Sequence, residues 1–445
     1  MKRMYNLIAA AILLVVFTSA RAQETWSLQK CIDYALQNNI QIKQQSLNSD
    51  YYNNQLNQAK YNRLPNLNAG LSNNISFGRS LAYDNTYQNV NSNQSGGNLS
   101  ANVTIWNGFT LSNSIKMADM DLQASLQETL KTKDDMMLNV AASYLEILFA
   151  DELVGVSEEL LKITQLQIDR TNKLVEAGSL AKGSLFEIEA QYAREELNVV
   201  NAQNRLQLAY LGIYQLLEVP STESFKIEKP TLPEIGANVS LLNSMDVFKN
   251  AVQLRPAVKS AEFKLESARN QLLIAKGNLL PSLTFGGNYY NLYNNKYTDR
   301  LGNNIPFGEQ IKSNERYGFG LNLSIPIFNH YQARTGVSNS QIQLENSELQ
   351  LQSTKNLLRK EIEQAYTNAL AAFKRYVANQ KTVISSREAF RYTEEKFNVG
   401  MINSVEYNQS KNNLTSAQSD LLQAKYEYIF RTKILDFYNG IPIQL

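Results

Sequence analysis

Cysteine and histidine are almost missing: the 445-residue chain has one of each, Cys31 and His330. That excludes a disulfide framework and any zinc site built from Cys and His within one chain. It also leaves a single position for the imidazole of a Ser-His-Asp triad, and no GxxxxGK[ST] phosphate loop is present. Charged residues make up 19%, below the roughly 25% of an ordinary soluble domain. Lys and Arg number 43 against 41 acids, a formal charge of +2. Three of those cations, Lys2, Arg3 and Arg21, lie in the first 22 residues, which carry no acid. The remainder is close to neutral, which argues against a partner held by phosphate neutralisation, so no nucleic acid is expected. Asp134-Asp135, Glu158-Glu159 and Glu394-Glu395 are adjacent carboxylates. Neighbours on a helix diverge in direction, so these pairs read as solvated faces rather than acid/base couples. The chain is read as no enzyme, with no cofactor and no resident metal.

Long apolar runs are also few. Lys2 and Arg3 precede an apolar stretch from Leu7 to Phe17 and the small-x-small sequence Ala20-Arg21-Ala22. This is the pattern of an export signal over residues 1–22, with Gln23 as the mature start. Cys31 lies nine positions past that cut, so it is not a lipidated first residue and reads as a small buried thiol on a helix. Beyond the signal there is no run of 18 apolar residues. Membrane contact therefore has to use strands or a surface helix.

What the sequence does have is itself, twice. Asn54-Gln55-Leu56, Ala59-Lys60 and Leu64-Pro65 recur as Asn270-Gln271-Leu272, Ala275-Lys276 and Leu280-Pro281, a shift of 216. Ile105-Trp106-Asn107 matches Ile327-Phe328-Asn329 at a shift of 222, which then holds for Tyr144 with Tyr366 and Gly178 with Gly400. Such self-similarity defines two structural repeats, placed here at 23–220 and 244–445, joined by a Pro-marked linker at 221–243. Each repeat reads as half-length helix, two strands, very long helix, half-length helix. The strands are expected at about 66–77 and 98–106, then 282–293 and 317–328. Leu67, Ala69, Leu71, Ile75 and Phe77 alternate with Asn, Gly and Ser, and Leu99, Ala101, Val103 and Ile105 do the same. Period two with one apolar face marks strands exposed to water on one side only. A soluble sandwich shares this alternation. The long Asn/Ser/Tyr-rich loops at 78–97 and 294–316, with Tyr83, Tyr87, Tyr289, Tyr290, Tyr293 and Tyr317 beside the strands, favour an outer-membrane barrel.

Four strands cannot close a barrel, nor stay open in lipid, so a membrane reading requires several copies: two give eight strands, three give twelve and an aqueous lumen. The helices expected from Thr110 to Ala177 and from Tyr331 to Val399 are each about 100 Å long, and the segments 28–62, 184–217, 245–276 and 404–438 each about 50 Å. Two short helices end to end thus match one long one. Val140, Ile147, Val154, Leu161, Ile168 and Val175 keep a seven-residue spacing, as do Ile362, Ala369, Tyr376, Val383, Phe390 and Phe397. That seam predicts left-handed supercoiling.

With its export signal, duplicated unit, Leu-Pro helix exits and the helix ends Val175-Glu176-Ala177-Gly178 and Phe397-Asn398-Val399-Gly400, the mature chain resembles the TolC-type outer-membrane efflux proteins. Met401-Ile402-Asn403-Ser404-Val405-Glu406-Tyr407 is similar to that family's hairpin tip. The resemblance implies a mainly α protein with membrane β: a long coiled-coil α-barrel in the periplasm joined to a transmembrane β-barrel shared by a homotrimer in outer-membrane lipid. It implies passive export of small molecules delivered by a periplasmic adaptor protein and an inner-membrane pump. Protein secretion or metal export by the same kind of duct stays open, as does a secreted structural coiled coil. The resemblance puts Glu406, Gln409, Ser184 and Glu187 at the periplasmic aperture. It puts Gly178, Ser179, Gly183, Gly400, Asn403 and Ser404 at the hairpin tips against the adaptor.

Overall fold

Repeat one begins with a strand, β1 (Thr25–Trp26), and two helices, α1 (Leu28–Asn38) and α2 (Ile40–Tyr61). The residues described in the computed structural model are 25–81, 85–89, 91–220, 225–231, 235 and 242–444. The expected signal, Tyr83 and much of the 221–243 linker lie outside them. Ser27 caps α1 by accepting from the Lys30 N–H at 3.3 Å, and Leu28, Cys31, Ile32 and Ala35 bury one face at helical spacing. The single helix expected over 28–62 is broken at Asn39, which turns to extended geometry. Its side chain explains the break: Oδ1 accepts from the Gln41 N–H at 2.9 Å while Nδ2 donates to the Leu216 carbonyl at 3.0 Å. Repeat two breaks at the matching place for another reason. Its first helices, α5 (Ser244–Leu254) and α6 (Pro256–Gly277), part at Arg255, because a residue preceding proline is driven out of helical geometry.

Between these come β2 (Asn66–Ser76), a short hairpin of β3 (Arg79–Leu81) with β4 (Tyr87–Asn89), β5 (Ser92–Trp106), α3 (Thr110–Glu176), α4 (Lys182–Leu217) and β6 (Lys226–Ile227). Repeat two continues with β7 (Ser282–Asn294), α7 (Phe307–Ser313), β8 (Arg316–Ser324), α8 (Gln332–Asn398) and α9 (Ser404–Tyr438). The loops at 78–97 and 294–316 thus hold structure of their own, and β5 starts six residues earlier than expected. The last strand stops at Ser324 rather than 328, since Pro326 has no N–H for a ladder. Both strand-to-helix corners use two left-handed residues: Gly108 and Phe109 (φ 63° and 65°), and His330 and Tyr331 (φ 54° and 61°). His330 occupies a conformation that repeat one gives to glycine, at a cost of about 1–2 kcal/mol.

The chain divides into two compact units. Of the described residues, one holds those up to Leu47 with those of Gln127–Lys259 and Ser353–Leu445; the other holds those of Asn48–Leu126 and Ser260–Gln352. In the second unit β2, β5, β7 and β8 form one antiparallel sheet in that order, so the repeats meet strand to strand at β5 and β7. Register places Leu67 beside Ala101, Leu99 beside Tyr289, Phe285 beside Leu321 and Tyr289 beside Tyr317. The apolar residues of four strands therefore make one continuous face. Apart from the β7 end, where α7 packs on Tyr293, it is uncovered: Leu71 is 93% exposed and Phe319 76%.

The first unit has an ordinary core. β1 pairs in parallel with β6, and Trp26 stacks on Phe225 with centroids 4.4 Å apart. Val140, Tyr144 and Ile147 from α3, and Ile213 and Leu217 from α4, close over Cys31 and Ala35. Burial pushes the Cys31 thiol up to about 12, which makes it inert at neutral pH. The Tyr144 hydroxyl donates to the Glu228 carbonyl at 2.6 Å and lies 3.3 Å from that of Trp26, holding the linker and the N-terminal strand together. Asp134 is not the solvated acid expected from its adjacent pair. It meets the buried Arg255 guanidinium at 3.1 Å, and Arg255 also donates to the Phe437 carbonyl. Tyr144→Phe is expected to lower unfolding stability by about 1–2 kcal/mol through the orphaned Glu228 carbonyl, and Tyr144→Ala by about 3–5 kcal/mol through the cavity. Denaturant titration followed by circular dichroism measures both.

Candidate functional site: the paired hairpin tips

α3 and α8 end in the same way. Gly178 and Gly400 have φ of 75° and 73°, and an added Cβ would meet nothing within 4 Å at either. Backbone conformation rather than space selects glycine here. The Gly178 N–H donates to the Val175 carbonyl at 3.0 Å and that of Ser179 to Leu174 at 2.8 Å. Gly400 donates to Phe397 at 3.1 Å and Met401 to Lys396 at 2.9 Å. Both are Schellman endings, which satisfy the last carbonyls of each long helix. Asn403 then starts α9, accepting from the Glu406 N–H at 2.9 Å. Gly183, by contrast, is an exposed residue in the first turn of α4 and makes no such turn.

The four residues expected at the aperture do not form one cluster. Glu187 and Ser404 come together, the Ser404 hydroxyl donating to the Glu187 carboxylate and linking the tip of one repeat to that of the other. Glu406 is exposed on the first turn of α9, where its charge complements the helix N-terminus. Gln409 is also exposed and donates to Asn413 at 3.0 Å, and Ser184 is half-buried at the start of α4. Between the tips lies a small apolar cluster of Ile188, Phe397 and Tyr407, packed with Ile168, Phe390 and Ile402. Tyr407 stacks on Phe397 with centroids 4.7 Å apart. Burial, and then the charges of Glu394 and Glu195, push its phenol up, and its buried hydroxyl has no partner among the described residues.

Sequence reasoning missed the most unusual feature. The expected seam residues Leu161, Ile168 and Val175 are only half-buried, and the deepest positions of this part of α3 are Thr164, Gln167 and Thr171. Against them lies an ion pair between Lys411 of α9 and Glu195 of α4, 3.0 Å apart with side chains only 3% and 7% exposed. The Thr164 hydroxyl contacts both, and Gln191 donates to Glu195 at 3.1 Å and to Asn412 at 3.2 Å. Burial pulls the Lys411 pKa down, opposed by the Glu195 charge. The signal was present in the seven-residue spacing of Thr164 and Thr171, the polar companions of the seam. Such a pair supports geometry more than stability. Lys411→Met is expected to cost about 3–5 kcal/mol, because it leaves Glu195 buried without a cation, and adding Glu195→Leu restores most of that. Thermal unfolding of the two variants compares them.

A sheet with one bare apolar face, and long helices turned by glycine-capped tips, is the fold of outer-membrane channels. The solved CusC structure matches with a TM-score of 0.80 at 17% identity, over 95% of this chain and 96% of that one. VceC of Vibrio cholerae matches with a TM-score of 0.78 at 16% identity, over 94% and 97%. The outer membrane efflux protein family matches residues 31–218 and 247–435, once in each repeat, and the chain belongs to that family. It is accordingly an efflux protein of the outer membrane. Among its relatives, the toxin and drug export protein A of Aggregatibacter actinomycetemcomitans is 23% identical over 75% of this chain and 69% of its own. TolC of Salmonella enteritidis is 22% identical over 93% and 82%.

Proposed function

We propose that three copies of this chain assemble into a passive duct, their sheets pooled into a twelve-stranded barrel and their helices into a periplasmic tunnel. The carrying observation is the sheet itself. β2 and β8 each pair on one side only among the described strands, and an unpaired edge is not tolerated in hydrocarbon. Its apolar face is contiguous and, away from α7, bare, so the same closure that pairs the edges turns this face to lipid and the Asn/Ser/Gly face to a lumen. Three copies rather than two leave an interior wide enough for water. Exposed apolar residues on α2 (Ile40, Leu47, Tyr51) and α8 (Ile342, Leu349) provide matching helix contacts between copies. In this reading residues 1–22 are removed on export and 221–243 link the repeats 23–220 and 244–445.

The tips are the adaptor-facing end. Gly178, Ser179, Gly183, Gly400, Asn403 and Ser404 form the docking surface for a periplasmic adaptor bound to an inner-membrane pump. Val399, Met401 and Phe186 add exposed apolar area beside them. Glu406, Gln409, Ser184 and Glu187 line the aperture, with Glu406 the free carboxylate and Glu187 engaged by Ser404. The duct carries no chemistry of its own, and the pump supplies the energy. Small molecules are the cargo this reading favours, in keeping with the drug-export name of one relative.

Detergent-solubilised protein is expected to show a three-fold ring by electron microscopy and to conduct ions in planar bilayers. A monomer without conductance rules the duct out. Glu406→Ala is expected to reduce cation preference; unchanged selectivity and conductance remove Glu406 from the aperture. Photo-crosslinkers at Ser179 or Asn403 are expected to capture a co-expressed adaptor, whereas labelling confined to other positions argues against tip contact.

A further inference from the structure

The polar face of the sheet is nearly devoid of charge. Its lateral rows are Asn66, Asn102, Gly286 and Gly320; then Asn68, Ser100, Asn288 and Gly318; then Gly70, Asn98, Tyr290 and Arg316. Arg316 is the single charged residue in all of β2, β5, β7 and β8. The asparagines of this face lean over neighbouring glycines. A Cβ built on Gly70 would stand 2.6 Å from Asn98 Oδ1, one on Gly286 2.7 Å from Asn102 Oδ1, and one on Gly318 3.2 Å from Asn288 Oδ1. Glycine thus makes room for each of these asparagines against the wall, and the face carries no charge but the Arg316 guanidinium.

Arg316 is exposed and has no ion-pair partner among the described residues. The adjacent acid is turned away: Glu315 accepts from the Tyr289 hydroxyl at 3.2 Å, and Tyr289 belongs to the apolar face. The helix of the β7–β8 connection is also fastened on that other side. Phe307 packs on Tyr293 with centroids 5.1 Å apart, and Asn291 donates to the Ile311 carbonyl at 2.6 Å, both from odd-numbered positions of β7. Among the described residues no acid pairs with the guanidinium.

We propose that Arg316 is the residue by which the barrel section discriminates solutes by charge, its three copies forming a cationic collar that favours anions and anionic cargo. The proposal rests on the duct reading above. A ring of like charge in a wall of neutral dipoles dominates the local potential, since no other fixed charge on that wall opposes it.

Reversal potentials in a KCl gradient across planar bilayers test it on the full-length protein. Arg316→Gln is expected to shift the cation-to-anion permeability ratio upward by at least about twofold, and Arg316→Glu further in the same direction. Arg316→Cys supplies a second reading on assembled channels, because the one native thiol, Cys31, is fully buried. A cationic thiosulfonate there is expected to restore wild-type selectivity, and an anionic one to drive it towards cations. Channels that conduct normally but keep wild-type selectivity in all three variants overturn the collar and leave the duct intact. A wild-type protein that forms no channel overturns the duct itself.

Discussion

Backbone amides and carbonyls inside hydrocarbon have only each other to bond with. That constraint bears on this chain more heavily than any side-chain contact. The four strands satisfy each other internally and leave two edges, β2 and β8, that nothing else in the described chain pairs. A bare apolar face coupled to two open edges is a poor arrangement for a protein in water and a complete one for a subunit of a closed cylinder. Duplication serves the same end. By joining the repeats at β5 and β7, the chain delivers four strands in one piece, and in the proposed duct fewer copies are needed to seal the wall.

The helical unit follows a different logic. Around Trp26, Tyr144 and Leu217 it is packed as a conventional apolar core, tied by the Tyr144 hydroxyl and by Arg255. Towards the tips the interior becomes polar, with Thr164, Gln167, Thr171, Gln191, Glu195 and Lys411 all buried. Apolar residues of similar volume pack at least as stably, so a buried charge pair with satisfied neighbours specifies one arrangement of helices rather than a tighter one. The polar links fall where α3, α4 and α9 of different repeats meet, close to the Ser404–Glu187 contact.

Much of this was legible in the residues. The strands, the long helices and the glycine turns came from period two, period seven and the recurrence of Gly178 as Gly400, all local signals. The breaks at Asn39 and Arg255 were less so. Pro256 announces the second, but the first depends on the Leu216 carbonyl, which is distant in sequence. Asp134 was misread because its partner, Arg255, lies in the other repeat. The polar pair Lys411 and Glu195 was overlooked since neither residue recurs at the repeat spacing, and charge on a helix is ordinarily solvated.

By itself the sequence determined the duplication, the two-faced strands, the lengths of the two long helices and the glycine turns that end them. Each follows from backbone geometry and side-chain periodicity over a few residues. Only the tertiary structure decided which strand lies beside which, that the apolar faces of both repeats coincide, and which polar residues are shut inside the helical tips. Those depend on register and on partners up to two hundred residues away, where no local pattern carries the information.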